Sequence, residues 1–213
     1  MSKLSQTAYE TIKQRILDSN YEPGARITED MIANELSISR TPVREAFQRL
    51  AADQMITIYP NRYAEVATFD RDRVRHIGAI RLALDMLSVY SCSYNGSAAE
   101  FDILEEVERE YEAASRSGDK KERIRLECAF HLKIARIAKN DDLIRQQENL
   151  YQLISMILSR QELGSEDAEA QVEQHKALIR AIRVQDISTA RHLLCDHLQK
   201  THGLSNNFVQ YFD

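Results

Sequence analysis

The chain contains no apolar run approaching the ~20 residues needed to cross a bilayer, and its polar first residues lack the apolar core of a signal peptide. Both absences predict a cytoplasmic protein with no membrane partner. Cysteine is scarce: Cys92, Cys128 and Cys195 are odd in number and far apart. That excludes a zinc ribbon and a self-contained disulfide framework, and leaves them as ordinary small residues. Positive charge is not in excess either. The chain has 28 Lys+Arg against 33 Asp+Glu, and residues 1–69 hold 8 basic and 9 acidic side chains. Bulk charge therefore gives no footprint for nucleic acid, and any such contact must come from local placement. No internal repeat is evident, and from residue 70 onward no segment reads as a strand.

What the chain does have is a run from Ser39 to Leu50 with two arginines and two hydroxyls on one face at a helix start. Ser39 is placed to cap the helix with its hydroxyl, and Pro42 is tolerated because it falls in the first turn. Arg40 and Arg44 lie four residues apart on one side, while Val43, Phe47 and Leu50 form the buried stripe. Arginine can bond guanine through two donors in the major groove or grip a phosphate. A capped surface helix with solvated arginines is the plainer alternative. The flanks favour the first reading. Thr28–Leu36 reads as a short helix capped by Thr28, joined by Ser37-Ile38 to the arginine helix, which makes a helix-turn-helix. A longer amphipathic helix over Thr7–Ser19 precedes it, ended near Asn20 and followed by Pro23-Gly24. The β-rich runs Met55–Tyr59 and Ala64–Thr68, joined by Pro60-Asn61-Arg62-Tyr63, read as a hairpin. Three helices and a hairpin predict a winged helix-turn-helix over residues 1–69, with Lys3, Arg40, Arg44 and Arg62 on one surface. Sparse charge also predicts modest non-specific affinity, so two subunits would need to act together.

At Phe69-Asp70 alternation gives way to helical spacing. Helices are predicted over 71–94, 98–117, 120–139, 142–161, 166–184 and 187–204, broken at Asn95-Gly96-Ser97, Ser117-Gly118-Asp119, Asn140-Asp141, Leu163-Gly164-Ser165 and Gln185-Asp186. Short connections between six helices predict an antiparallel bundle over 70–213. The fold class is thus mainly α, a winged helix-turn-helix followed by a six-helix bundle.

Polar residues interrupt the bundle's apolar seams. The third helix of this set reads Ile124, Glu127, His131, Ile134, Ala138; the fifth reads Val172, His175, Ile179, Ile182; the sixth reads Ala190, Leu194, His197, Thr201, Leu204. A single inward histidine is usually a hydrogen-bonded core residue. Three of them with a carboxylate would each otherwise need a buried partner, and Glu127, His131, His175 and His197 together could hold one divalent transition metal. Zinc is the first choice, with nickel, manganese or iron as others; calcium and magnesium suit imidazoles less. His76, His192 and His202 fall off these seams and are expected in solvent. On the first long helix the seam is Val74, Ile77, Arg81, Leu84, Ser88, and an inward arginine needs an anion, for which Asp85 is one candidate. Gln147 lies on the seam of the fourth helix.

Pro23-Gly24, the Thr28 helix, the Ser39–Leu50 run and the hairpin make residues 1–70 resemble the GntR family of bacterial transcription regulators. That resemblance implies operator contacts from Ser39, Arg40, Thr41 and Arg44, with Arg62 and Lys3 beside them. Two residues depart from the family pattern: Asp30 stands where an arginine often touches DNA, and Tyr63 where a wing-tip glycine is usual. Glu127-Cys128-Ala129-Phe130-His131 with His175 and His197 resembles the FCD effector domain that follows in one branch of that family, in its smaller six-helix subgroup. There an acidic residue, usually aspartate, and later histidines hold a divalent metal; glutamate takes that place here. The same resemblance implies that Arg81 meets the carboxylate of a small organic acid, with Gln147 offering a hydrogen bond. The function expected is a homodimeric regulator of a short palindromic operator, responsive to a small carboxylate effector. Two alternatives are a metal-dependent enzyme acting on a small organic acid, since a metal with an open position could activate water, and a direct metal sensor.

Overall fold

The computed structural model describes residues 2–162 and 164–212. The chain divides into two compact units, Met1–Phe69 and Asp70–Asp213.

In the first unit, α1 (Lys3–Leu17) is capped by Ser2, whose hydroxyl accepts from the Ser5 amide, so it begins earlier than the expected Thr7. Its Ala8, Tyr9, Ile12 and Ile16 are buried. After β1 (Arg26–Ile27), α2 (Glu29–Leu36) is capped by Thr28 and closed by Ser37 in the left-handed region at φ 53°. The next helix, α3 (Arg40–Ala52), buries Pro42, Val43, Ala46, Phe47 and Leu50. Ser39 is its N-cap but makes no side-chain capping bond, which corrects the expected cap. The reason is local: a capping hydroxyl takes an amide hydrogen from the second or third helical residue, and the third here is Pro42, which has none. The strands β2 (Ile56–Tyr59) and β3 (Tyr63–Val66) form the wing, and the antiparallel sheet runs β1-β3-β2. Tyr63 is not at the tip. It opens β3 opposite Tyr59, and the left-handed turn position is Asn61, at φ 59°. Asparagine tolerates that conformation, so a glycine is not required.

The second unit is helical throughout its described residues. It comprises α4 (Arg71–Asn95), α5 (Ala98–Ser117), α6 (Lys120–Ile137), α7 (Asp141–Leu158), α8 (Ser165–Arg183), α9 (Ile187–His202) and α10 (Asn206–Phe212). Side-chain caps from Asp70, Ser97, Asp119, Asn140 and Asp186 start five of them, where turn residues had marked breaks. Leu163, part of another expected break, lies outside the described residues. The seventh helix of this unit was not expected, because it is only two turns long; its Val209 is buried. In this unit α4 packs against α6, α7, α8 and α9, and α5 against α6 and α8, around Leu82, Leu104, Phe130, Ile182 and Leu194. At one crossing α4 and α9 meet so closely that a Cβ on Gly78 would lie 2.2 Å from the Cβ of His202.

Candidate metal centre and DNA-binding surface

Four helix faces converge on one buried cluster. Glu127 and His131 stand one turn apart on α6, His175 comes from α8 and His197 from α9, all buried, with one donor atom of each inside a 4.8 Å set. His197 Nε2 lies 3.3 Å from His131 Nε2, 3.4 Å from His175 Nε2 and 3.2 Å from Glu127 Oε1. Glu127 Oε1 is 3.3 Å from His131 Nε2, and Oε2 is 3.3 Å from His175 Nε2. Four donors at zinc bond lengths of ~2.0–2.1 Å around a tetrahedron are ~3.3–3.4 Å apart; the edges among His131, His197 and Glu127 Oε1 lie near that length, and His175 lies near it from His197 and from Glu127 Oε2.

The outer nitrogens are engaged as well. His175 Nδ1 donates to Glu108 Oε2 at 2.8 Å, His197 Nδ1 to Gln174 Oε1 at 3.1 Å, and His131 Nδ1 lies 3.3 Å from Asp85 Oδ2. Acceptors on Nδ1 fix the proton there and turn the Nε2 lone pair inward, the arrangement that metal-ligating histidines have. Glu127 Oε2 has no hydrogen-bond partner, an orphan that a buried carboxylate tolerates poorly without a cation. Charge gives the same answer. The buried set contains one guanidinium, Arg81, against the three carboxylates Asp85, Glu108 and Glu127; with the imidazoles neutral, as metal ligation requires, it lacks two positive charges, which a divalent ion would supply in place of the proton that His175 otherwise holds.

Burial pushes the Glu127 carboxyl up, but the three imidazoles around it hold it well below the usual carboxylate range. Burial drives His131 well below its ordinary value, with Arg81 adding to the shift, and burial lowers His197 too. For His175 burial is outweighed by the hydrogen bond to Glu108 and by the Glu127 carboxylate 3.3 Å away, which raise it to about 9. Asp85 is raised to about 6 by burial, against the pull of Arg81 and Tyr151.

Arg81 is wholly buried, and each of its three nitrogens has a protein partner. Nε faces Asp85 Oδ2 at 3.3 Å and Tyr151 OH at 3.2 Å, Nη1 faces His202 Nε2 at 3.1 Å, and Nη2 donates to Glu127 Oε1 at 2.9 Å. Gln147 is also fully buried, donating to Asp85 Oδ1 at 2.5 Å and accepting from Ser88 Oγ at 3.1 Å. Both expected effector residues thus join the metal cluster's surroundings. His202 was expected in solvent and is instead 2 % exposed. The helix α9 buries two faces, Ala190-Leu194-His197 and Cys195-Leu198-His202, and only the first was traced as a seam. His76 and His192 are exposed as expected.

Glu108, Gln174 and Tyr151 were missed. For Glu108 the signal was present: Phe101, Leu104, Glu108 and Tyr111 form a buried seam on α5 with one polar residue in it, the same pattern that marked the histidines.

In the first unit, Arg40 and Arg44 on α3 and Arg62 on the wing line one groove of about 530 Å³ together with Glu29, Asp30 and Tyr63. Ser39 and Thr41 are exposed at the start of α3, and Lys3 is exposed at the start of α1, outside that groove. Both arginines carry intramolecular partners. Arg44 Nε and Nη2 donate to the two oxygens of Glu29 at 2.9 and 2.7 Å, and Arg40 pairs with Asp30.

The description "Bacterial regulatory proteins, gntR family" matches residues 4–66, and "FCD domain" matches residues 76–200. The HTH-type transcriptional regulator YdhC of Bacillus subtilis is 27 % identical over 199 residues, covering 90 % of this chain and 89 % of that one. Among solved structures, Escherichia coli McbR/YncC superposes over 100 % of both chains with a TM-score of 0.82 at 22 % identity. A GntR regulator from Rhodococcus sp. RHA1 also gives 0.82, at 17 % identity over 95 % of this chain and 97 % of that one. The structural likenesses establish the fold, and among the described residues no helix is long and apolar enough to cross a membrane. The chain belongs to the FCD-domain branch of the GntR family of bacterial regulators, and it is a DNA-binding transcription regulator, not an enzyme.

Proposed function

We propose that the second unit holds a divalent transition metal, zinc foremost, through Glu127, His131, His175 and His197, and that a small carboxylate effector binds beside it to control operator affinity. The supporting observation is the orientation of the three imidazoles. Each has an oxygen at or near hydrogen-bond distance of Nδ1, and their Nε2 atoms meet Glu127 at tetrahedral edge lengths. When bound, the ion supplies a Lewis-acidic position for an anionic oxygen. The protein's own groups position it. Arg81 fixes Glu127 from behind, Asp85 orients His131, and Gln147 orients Asp85. In this reading Arg81 and Gln147 act on the effector through those residues rather than by touching it.

On DNA, Arg40, Thr41 and Arg44 face the major groove, with Ser39, Lys3 and Arg62 on phosphates or the adjacent groove. A homodimer would place two recognition helices on a short palindrome, in half-sites about one helical turn apart. Its support is an exposed apolar stripe on α4, where Ile80, Leu87, Tyr90 and Tyr94 are 45–56 % exposed at spacings of seven, three and four residues. The effector would act by population shift in the cytoplasm. A preference of ~2 kcal/mol for one state changes operator affinity about thirtyfold when fully coupled.

Metal analysis of the purified chain tests the centre. We expect one zinc per chain, lost in the His175→Ala/His197→Ala double variant while operator binding by the first unit persists. Equal metal content in both proteins would overturn the assignment.

A further inference from the structure

The buried seam of α5 brings a second carboxylate, Glu108, to the cluster, and it arrives on the far side of one imidazole. His175 Nδ1 donates to Glu108 Oε2 at 2.8 Å, while Nε2 of the same ring faces His197 Nε2 and Glu127 Oε2. The two ring nitrogens point away from each other, so Glu108 acts on an ion held at Nε2 only through His175. Both residues are closed off from solvent, His175 at 0 % exposure and Glu108 at 2 %. Phe130 stacks on the imidazole with centroids 4.1 Å apart and planes within 16°, and Tyr111 lies against it at 4.9 Å. The plane of the ring is therefore set by its aromatic neighbours, and its rotation within that plane by Glu108.

The acceptors behind the three histidines differ in charge. Gln174, half-buried behind His197, is a neutral amide. Asp85, behind His131, is shared among Arg81, Tyr151 and Gln147, so its charge is largely taken up. Glu108 has His175 as its hydrogen-bond and ion-pair partner among the described residues, and its Oε1 has none. A buried carboxylate so placed is costly unless positive charge lies close. With an ion at Nε2, the imidazole would stand between a dication and an anion, and the anion makes the ring a stronger donor to the metal. We infer that Glu108 is the positioning residue that governs how tightly the centre holds its metal, acting through His175 and outweighing the acceptor behind His197. The inference deepens the metal centre proposed above and rests on it.

The test uses the full-length chain, stripped of metal and titrated with zinc against a competing chelator. Wild type should bind one zinc per chain. Glu108→Gln, which keeps an acceptor and removes the charge, should weaken zinc binding by roughly 10–100-fold, and Glu108→Asp should recover part of the loss. Gln174→Leu should cost less than Glu108→Gln. Nitrogen-15 NMR of zinc-loaded wild type gives a reading that needs no variant: His175 should carry its proton on Nδ1, in the carboxylate hydrogen bond, and none on Nε2. Wild-type affinity in Glu108→Gln, a greater loss in Gln174→Leu, or a proton on Nε2 would overturn the role of Glu108 while the centre stands on its zinc stoichiometry. Wild type that takes up no zinc would overturn the centre and this inference with it.

Discussion

Asp30 and Arg40 form an ion pair on the surface proposed above to meet DNA. Both are largely exposed, so the pair adds little to stability, but it sets what the arginine can do. To reach a phosphate or a base, Arg40 must leave a carboxylate, and a wrong sequence offers less in return than a right one. Asp30→Asn should therefore raise affinity for non-specific duplex and steepen its salt dependence by about one logarithmic unit, the increment for one further phosphate contact. Binding isotherms at three salt concentrations would show it; unchanged slopes would mean that the pair is already open in solution.

The buried His202 carries a different consequence. Burial, with Arg81 next, lowers it to about 3 from an unfolded value near 6.5. Between those two values the unfolded chain binds the extra proton and the folded chain does not, so this contribution is complete above pH 6.5 and shrinks as pH falls towards 3. His202→Gln keeps an acceptor for Arg81 without the titration. Its stability should fall less steeply below pH 6.5, by up to about 1.4 kcal/mol per pH unit, in urea denaturation at pH 5 and pH 7. Parallel pH profiles would place the proton uptake elsewhere.

Residues became legible from sequence wherever one polar group broke an apolar seam. Glu127, His131, His175, His197 and Arg81 all did so, and all are buried in one cluster. Glu108 carried the same mark and went unread. His202 carried none, since it depends on a second buried face of α9. Burial of that face is a property of packing between helices, and a single helix's periodicity does not contain it.

Among the elements, length decided what could be foreseen. The six long helices announce themselves by spacing and by caps such as Asp70 and the Ser97/Glu100 capping box, whereas β1 has two residues and α10 seven, too few for a period to show. The closest crossing, α4 over α9, depends on Gly78. Gly78→Ala would push its methyl into the backbone end of His202, which cannot swing away as a side-chain tip could. We expect a cost of about 1–3 kcal/mol from overpacking, despite alanine's better helix propensity, read as a lower unfolding midpoint. A midpoint at or above wild type would show that α9 yields without penalty.

For the whole molecule, the exposed stripe of α4 is the feature that one chain cannot bury. Leu87→Glu with Tyr94→Lys should leave helix content intact, turn a dimer into a monomer in sedimentation, and cost far more operator affinity than a change of net charge could. A double variant that sediments as wild type would place the subunit contact on another face. On the opposite side, this same helix carries Arg81 and Asp85 into the buried cluster, and its first residue, Arg71, is separated from the last residue of the DNA-binding unit only by Asp70. Twenty-five residues of α-helix make a rod of about 37 Å. In the switch proposed above it would serve as a lever: a tilt of ~5° about the point where Arg81 grips Glu127 would sweep its ends through ~3 Å in total.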